Sequence, residues 1–314
     1  MLHEVSFKSF NERDEVKGWI YVPAAKPQGI VQVVHGLGEH SRRYLHFITS
    51  LMEAGYIVAA DDHVGHGKTA LENNTWGDWG DKGFHTMMED EQQLKKIVCE
   101  KYPDLPYFFF GHSLGSLITR DYIAKYGKEL AGVTICGTLG LLPQIKEIGE
   151  QFKKEIEAGR GQESNTEMIN DMFAPFFSRI KEVKIGNEWI CADPYVQLDH
   201  ANDPFDSFTR PMTNKSYYDF IQLNEFVASK EWASLVPKEL PIYNIAGDQD
   251  PVGDFGRAVY ETSNELWQTG HQVITKVYSG YRHEILNYKE IKNEVEQGII
   301  EFMNAIINQA KREH

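Results

Sequence analysis

Ser113 stands in the run Gly111-His112-Ser113-Leu114-Gly115, with the aromatic segment Tyr107-Phe108-Phe109-Phe110 before it and an amphipathic segment after it. A G-x-S-x-G run between a strand and a helix is the pattern of a strained turn. It lifts a serine oxygen above a sheet and points a helix N-terminus at developing negative charge. The chemistry would be acyl transfer. The bare pentapeptide arises by chance in many chains and would then mark a tight turn with an idle serine, but the strand before it and the helix after it favour a nucleophile.

A serine hydroxyl is a weak nucleophile at neutral pH. It needs a base, and the base needs an acid to orient it. Downstream of Ser113 the histidines are His200, His271, His283 and His314. His283, in YSGYRHEIL, follows the last expected strand and precedes the terminal helix, so it falls on the same rim as the serine turn. His200 lies in an irregular region, His271 precedes a strand and His314 is terminal. For the acid, the strand-end run AGDQDPVGD offers Asp248, Asp250 and Asp254. Asp250 is favoured because the turn chemistry around it aims the second acid inward, leaving Asp248 as an exposed turn residue or a helper. An oxyanion hole needs backbone N–H groups where the tetrahedral intermediate becomes charged. Leu114 supplies one as the residue after the nucleophile. Leu37, in the glycine-rich strand–loop junction VVHGLGEH, supplies the other.

The elements that must position these groups alternate along the chain. LHEVSFKSF and VKGWIYV form an opening hairpin. GIVQVVHG, YIVAADD, YFFFGH, GVTICGT, PIYNIAG and HQVITKVYSG read as strands, separated by amphipathic segments of helical period. In SRRYLHFITSLMEAG, Tyr44, Phe47, Ile48 and Leu51 share one face. In the terminal segment Val295, Ile299, Phe302, Met303 and Ile306 form one stripe. Strands separated by helices imply a mostly parallel central sheet with helices on both faces and the antiparallel N-terminal strands at an edge: an α/β fold.

Residues 139–237 break that rhythm. IKEIGEQFKKEIEAG is helical, GRGQESNTE is a loop, and MINDMFAPFFSRIK gathers methionine and phenylalanine around a proline. The expected division is a core of residues 1–138 and 238–314 with an inserted, mainly helical cap at 139–237 over the strand ends. Met172, Phe173, Phe176 and Phe177 are candidate substrate contacts lining an acyl tunnel; the competing reading makes them the cap's own core.

In DDHVGHG, Asp61, Asp62, His63 and His66 lie close together, yet their spacing matches no strong zinc pattern such as H-E-x-x-H. No metal and no cofactor are expected. His35 is expected to order the oxyanion loop and His112 to brace the nucleophile. Cys99, Cys136 and Cys191 are odd in number and far apart, which implies no disulfide framework and suits a reducing, cytoplasmic setting. The N-terminus lacks a signal-peptide pattern, and no apolar run approaches a membrane span. Lys+Arg 32 against Asp+Glu 46 gives a net charge of -14. That excess of acid argues against nucleic acid as a partner and allows at most transient membrane contact through the cap.

HGLGEHSRRY, DDHVGHGKT, GHSLGS, AGDQDPV and YSGYRHEILN occur in an order and context that resemble the monoacylglycerol lipase / lysophospholipase branch of the α/β-hydrolase superfamily, the serine aminopeptidase S33-like or Hydrolase_4 group. The resemblance covers nearly the whole chain, with 139–237 in the place of that family's cap. It implies a carboxylic ester hydrolase with Ser113, Asp250 and His283 as triad, the Leu37 and Leu114 amides as oxyanion donors, and no cofactor. The substrate implied is a small-molecule ester or lipid, monoacylglycerol or lysophospholipid-like. Ser116 stands where the family pattern has a second glycine, and Leu114 where it often has methionine. A thioesterase or an amidase/aminopeptidase on the same triad is the alternative, weakened for peptides by H-G-L-G where aminopeptidase relatives carry H-G-G-P-G. A non-catalytic binding protein ranks last, because such proteins tend to lose a triad member.

Overall fold

A computed structural model of the chain describes residues 1–141, 144–206 and 210–313. Eight strands form one sheet: β1 (Leu2–Lys8), β2 (Glu15–Tyr21), β3 (Gly29–Val34), β4 (Tyr56–Asp62), β5 (Tyr107–His112), β6 (Gly132–Cys136), β7 (Ile242–Gly247) and β8 (Val273–Tyr278). Their spatial order is β1-β2-β4-β3-β5-β6-β7-β8. The β1–β2 and β2–β4 pairs are antiparallel and every later pair is parallel. This is the expected α/β architecture, antiparallel edge included. Strands β3 to β7 are buried along their full length, which is why they read as apolar runs and not as alternating ones.

The connecting helices are α1 (Leu45–Glu53), α2 (Gly67–Asn73), α3 (Thr86–Lys101), α4 (Leu114–Tyr126), α5 (Ile145–Glu157), α6 (Thr166–Phe173), α7 (Pro194–Asn202), α8 (Asn214–Val227), α9 (Trp232–Leu235), α10 (Arg257–Gln268) and α11 (Lys292–Glu313). A single 3-10 turn, Ser41–Tyr44, precedes α1, so the segment read as one helix is two pieces. The aromatic run of β5 splits by strand alternation. Phe110 packs edge-on against Phe47 of α1, and Phe109 packs 4.3 Å from Tyr122 of α4 on the other face.

Between β6 and β7 the described chain is helical or irregular. Helix α5 lies on α8, with Phe152 stacked 5.4 Å from Tyr217. The end of this insertion is tied to the nucleophile helix: the Trp232 indole N–H donates to the Arg120 carbonyl at 2.8 Å, and the buried Arg120 guanidinium donates to Leu139 O and Val227 O. Arg120 therefore holds both ends of the insertion to α4.

Candidate active site

The turn from β5 into α4 places Ser113 at φ 57°, ψ −120°, a conformation that costs a non-glycine residue on the order of 1–3 kcal/mol. Two anchors hold it. Ser113 N–H donates to Cys136 O at 3.0 Å, which ties the turn to β6. Gly115 packs against the end of β3 so closely that a Cβ there would collide with the Val34 carbonyl oxygen. The second glycine of the pentapeptide is thus a condition for bringing the helix start onto the sheet.

Asp250 and His283 arrive on adjacent strand-end loops. After β7 and β8, Asp248 N–H donates to Tyr278 O at 3.0 Å and Gln249 N–H to Tyr281 O at 2.9 Å, which zips the loops together. Gly247 makes the junction possible, since a Cβ at that position would strike the Tyr281 carbonyl. The outcome is a hydrogen bond of 2.9 Å between His283 Nδ1 and Asp250 Oδ2. Asp250 is 0% exposed and His283 2%. Asp250 Oδ1 accepts from Val252 N–H at 2.9 Å, so both of its oxygens are used. His283 Nε2 has no hydrogen-bond partner among the described residues. Asp248 is a turn residue, bonded to Ser279 and Gly280.

Ser113 and His283 open on one pocket, whose walls include Leu37, Leu114, Met172, Phe173, Phe176 and Val252. Met172, Phe173 and Phe176, three of the four residues expected to contact substrate, thus line the pocket. Phe177 does not: it lies outside the residues lining this pocket and packs, partly buried, against the apolar core. The chain from Ala174 to Phe177 is a 3-10 turn carrying Pro175, whose three-residue repeat carries Phe177 off the face that Met172 and Phe176 share. Cys191 also lies off the pocket, buried, although its neighbours Trp189 and Ile190 line it. Burial pushes its thiol up to about 11, so it is not an activated nucleophile.

Of the charged network beside this pocket, only His112, expected to brace the nucleophile, was marked in the sequence. Arg43, itself partly buried, bridges the buried Glu39 at 2.7 Å and the buried Glu284 at 2.6 Å. The Tyr44 hydroxyl donates to Glu39 Oε1 at 2.6 Å and lies 2.7 Å from His112 Nδ1. One hydroxyl has one proton, so with that proton on Glu39 it is His112 Nδ1–H that donates to Tyr44. His112 Nε2 is 3.3 Å from the His283 carbonyl, which can only accept. Both ring nitrogens of His112 then carry hydrogen. Burial alone would pull its pKa down, but the Glu39 carboxylate outweighs that and raises it. Burial likewise opposes the Glu284 carboxylate, and Arg43 overcomes it, holding Glu284 down at about 2. The i, i+4 spacing of Glu39 and Arg43 and the adjacency of Glu284 to His283 were the only other signals of this network in the sequence.

His35 orders the loop before Leu37, as expected. Its Nδ1–H donates to Gly36 O at 2.8 Å, and its Nε2 accepts from His63 N–H at 3.1 Å. Gly36 N–H is taken by Glu39 Oε1. No hydrogen bond among the described residues uses the Leu37 or Leu114 amide.

Residues 25–290 match the family described as Hydrolase_4: Serine aminopeptidase, S33. A monoacylglycerol lipase of Mycolicibacterium smegmatis is 32% identical over 281 residues, 87% of each chain. The human monoglyceride lipase is 35% identical over 119 residues, so the chain spans little over a third (38%) of that relative's length. Among solved structures, a highly thermostable carboxyl esterase from Bacillus coagulans in complex with glycerol is 56% identical, with a TM-score of 0.95 over 98% of this chain and 99% of that one. A lipase in an open form is 34% identical, with a TM-score of 0.93 over 98% of this chain and 100% of the other.

Proposed function

The chain belongs to the Hydrolase_4 family of S33-type α/β-hydrolases, and we propose that it cleaves carboxylic esters of the monoacylglycerol or lysophospholipid kind through an acyl-enzyme on Ser113. The observation that carries this reading is the buried His283–Asp250 pair opening on the same apolar pocket as a serine held at positive φ.

In this reading the substrate carbonyl oxygen rests against the amides of Leu37 and Leu114, for which no acceptor among the described residues competes. His283 Nε2 takes the Ser113 proton as Oγ attacks. Asp250 holds the Nδ1–H and stabilises the imidazolium, which then protonates the leaving alcohol. Water repeats the sequence and frees the acid. The acyl chain lies along Met172, Phe173 and Phe176, carried by the segment that we propose acts as a cap (139–237). The names of the relatives support this choice of bond: a monoacylglycerol lipase and a carboxyl esterase share most of the chain's length. The proposed ligand is a small ester or lipid. The proposed location is the cytoplasm, supported by three free cysteines. No helix among the described residues is long and apolar enough to cross a membrane.

The test is a turnover series on monoacylglycerols, lysophosphatidylcholines, acyl thioesters and aminoacyl amides of matched chain length. Monoacylglycerols or lysophospholipids should give the highest kcat/KM. A preference for thioesters or amides would overturn the choice of bond while leaving the nucleophile intact.

A further inference from the structure

Asp61 lies near the end of β4, His63 two residues on, and Glu91 in the second turn of α3, and none of the three lines the pocket that holds Ser113 and His283. All three are buried, at 0%, 1% and 0% exposure. His63 Nδ1 is 3.4 Å from Asp61 Oδ1 and 3.3 Å from Glu91 Oε1. Neither contact is a hydrogen bond. Four atoms (His63 Nδ1, both oxygens of Asp61 and Glu91 Oε1) have no hydrogen-bond partner among the described residues.

The tautomer sharpens this. His63 Nε2 lies 3.3 Å from the His35 carbonyl oxygen, which accepts only, so Nε2 carries the hydrogen. With Nδ1 unprotonated, the ring turns its lone pair towards two carboxyl groups, and either a proton or a cation must lie among the three. Buried charge of this kind is strongly unfavourable unless compensated. Donor atoms 3.3–3.4 Å apart match the edge of a tetrahedron whose metal–ligand bonds are about 2.0–2.1 Å. The surroundings also fit. A metal-binding histidine typically donates its other N–H to a carbonyl, as His63 does to His35, and ligating carboxylates are themselves hydrogen-bonded, as Glu91 Oε2 is by Gln32.

We propose that Asp61, His63 and Glu91 form a buried structural site for one divalent transition-metal ion, zinc first. Imidazole with carboxylates suits zinc, manganese or iron(II) better than magnesium or calcium. A divalent ion cancels the two carboxylate charges, and Asp61 can chelate it with both oxygens, a short bite that distorts the tetrahedron. The ion is taken up on folding, because none of its ligands reaches solvent. Its effect runs through His63 N–H to His35 and so to the loop carrying Leu37. This site does not depend on the ester-hydrolase reading. The spacing in DDHVGHG fitted no zinc pattern because the third ligand, Glu91, lies on a different element.

The test starts from tag-free protein expressed in zinc-supplemented medium, desalted and analysed for metal by mass spectrometry. One ion per chain is expected in the unmutated protein, lost in Asp61→Asn and in Glu91→Gln. Protein unfolded with EDTA and refolded without metal should melt about 5 °C or more lower, or fail to refold, and added Zn2+ should restore it. Refolding with Co2+ should give the visible bands of a four-coordinate site. Unmutated protein that holds no stoichiometric metal and melts alike with EDTA or Zn2+ would overturn the proposal and leave protons as the compensating charge. Metal retained in both variants would overturn its location. If the variants do not fold, the measurements on unmutated protein decide.

Discussion

His283 Nδ1 and Asp250 Oδ2 are 2.9 Å apart in a junction from which solvent is almost wholly excluded. Asp250 cannot donate while ionised, so the ring hydrogen sits on Nδ1 and the free lone pair on Nε2, the form a general base needs. Asp250→Asn presents an amide that favours the opposite tautomer. The expected result is a fall in kcat of about 10³–10⁴-fold with a folded, cooperatively melting protein. Steady-state kinetics beside a thermal melt check it, and a variant within tenfold of the parent would remove Asp250 from the mechanism.

The pocket wall gives a contrast between neighbours. Met172 and Phe176 line it and Phe177 does not. Phe176→Ala should move the optimum of an ester series towards longer acyl chains, and Met172→Trp towards shorter ones. Phe177→Ala should leave the optimum where it is. A shift in the Phe177 variant equal to that in Phe176 would mean that the apolar turn acts as a unit and not through its pocket face.

Gly115→Ala puts a methyl into the Val34 carbonyl, a backbone atom that cannot swing aside. Overpacking at such a contact typically costs about 1–3 kcal/mol, and the strained serine turn must shift to relieve it. The expectation is a lower denaturation midpoint together with at least a hundredfold loss of kcat, on the order of one displaced catalytic contact. Loss of stability with full activity would show that the turn tolerates the displacement.

Glu284 provides the pH dependence. An unfolded glutamate titrates near ~4.3, whereas Arg43 holds the folded one at about 2. Between those values the unfolded chain binds more protons than the folded one. The contribution of this pair is therefore fully present above about pH 5 and drains away as pH falls towards 2. Glu284→Gln should lower stability at neutral pH and flatten the acid limb below about pH 5, read from urea midpoints across the range. An unchanged acid limb would place the acid sensitivity in other groups.

What was legible in the chain depended on how local the signal was. The strand order's alternation, the serine turn, Asp250 and His283 could be read because each sits at the end of an apolar run with turn chemistry of its own. Leu37 and Leu114 were named as oxyanion donors from their positions next to such turns, and their amides point to no acceptor among the described residues. The Arg43–Glu284 ion pair spans 241 residues and leaves no local mark. Asp61 and Glu91 likewise meet only because α3 folds back across β4. Phe177 was expected beside Phe176 because both belong to one apolar cluster around a proline, and the 3-10 turn at Pro175 sets them on different faces. The break at Tyr44 between a 3-10 turn and α1 was invisible for the same reason: a shared buried face does not reveal which helix type builds it.

The central claim is that Ser113 is the acylated nucleophile. The most direct test is intact mass after treatment with a fluorophosphonate, run on the parent and on Ser113→Ala beside turnover of a p-nitrophenyl ester series from acetate to palmitate. The account expects one adduct on the parent, mapped to the peptide containing Ser113, and none on the variant, with ester turnover falling by about 10⁴-fold or more. A parent that takes no adduct and turns over no ester, or a variant that keeps both, would contradict it.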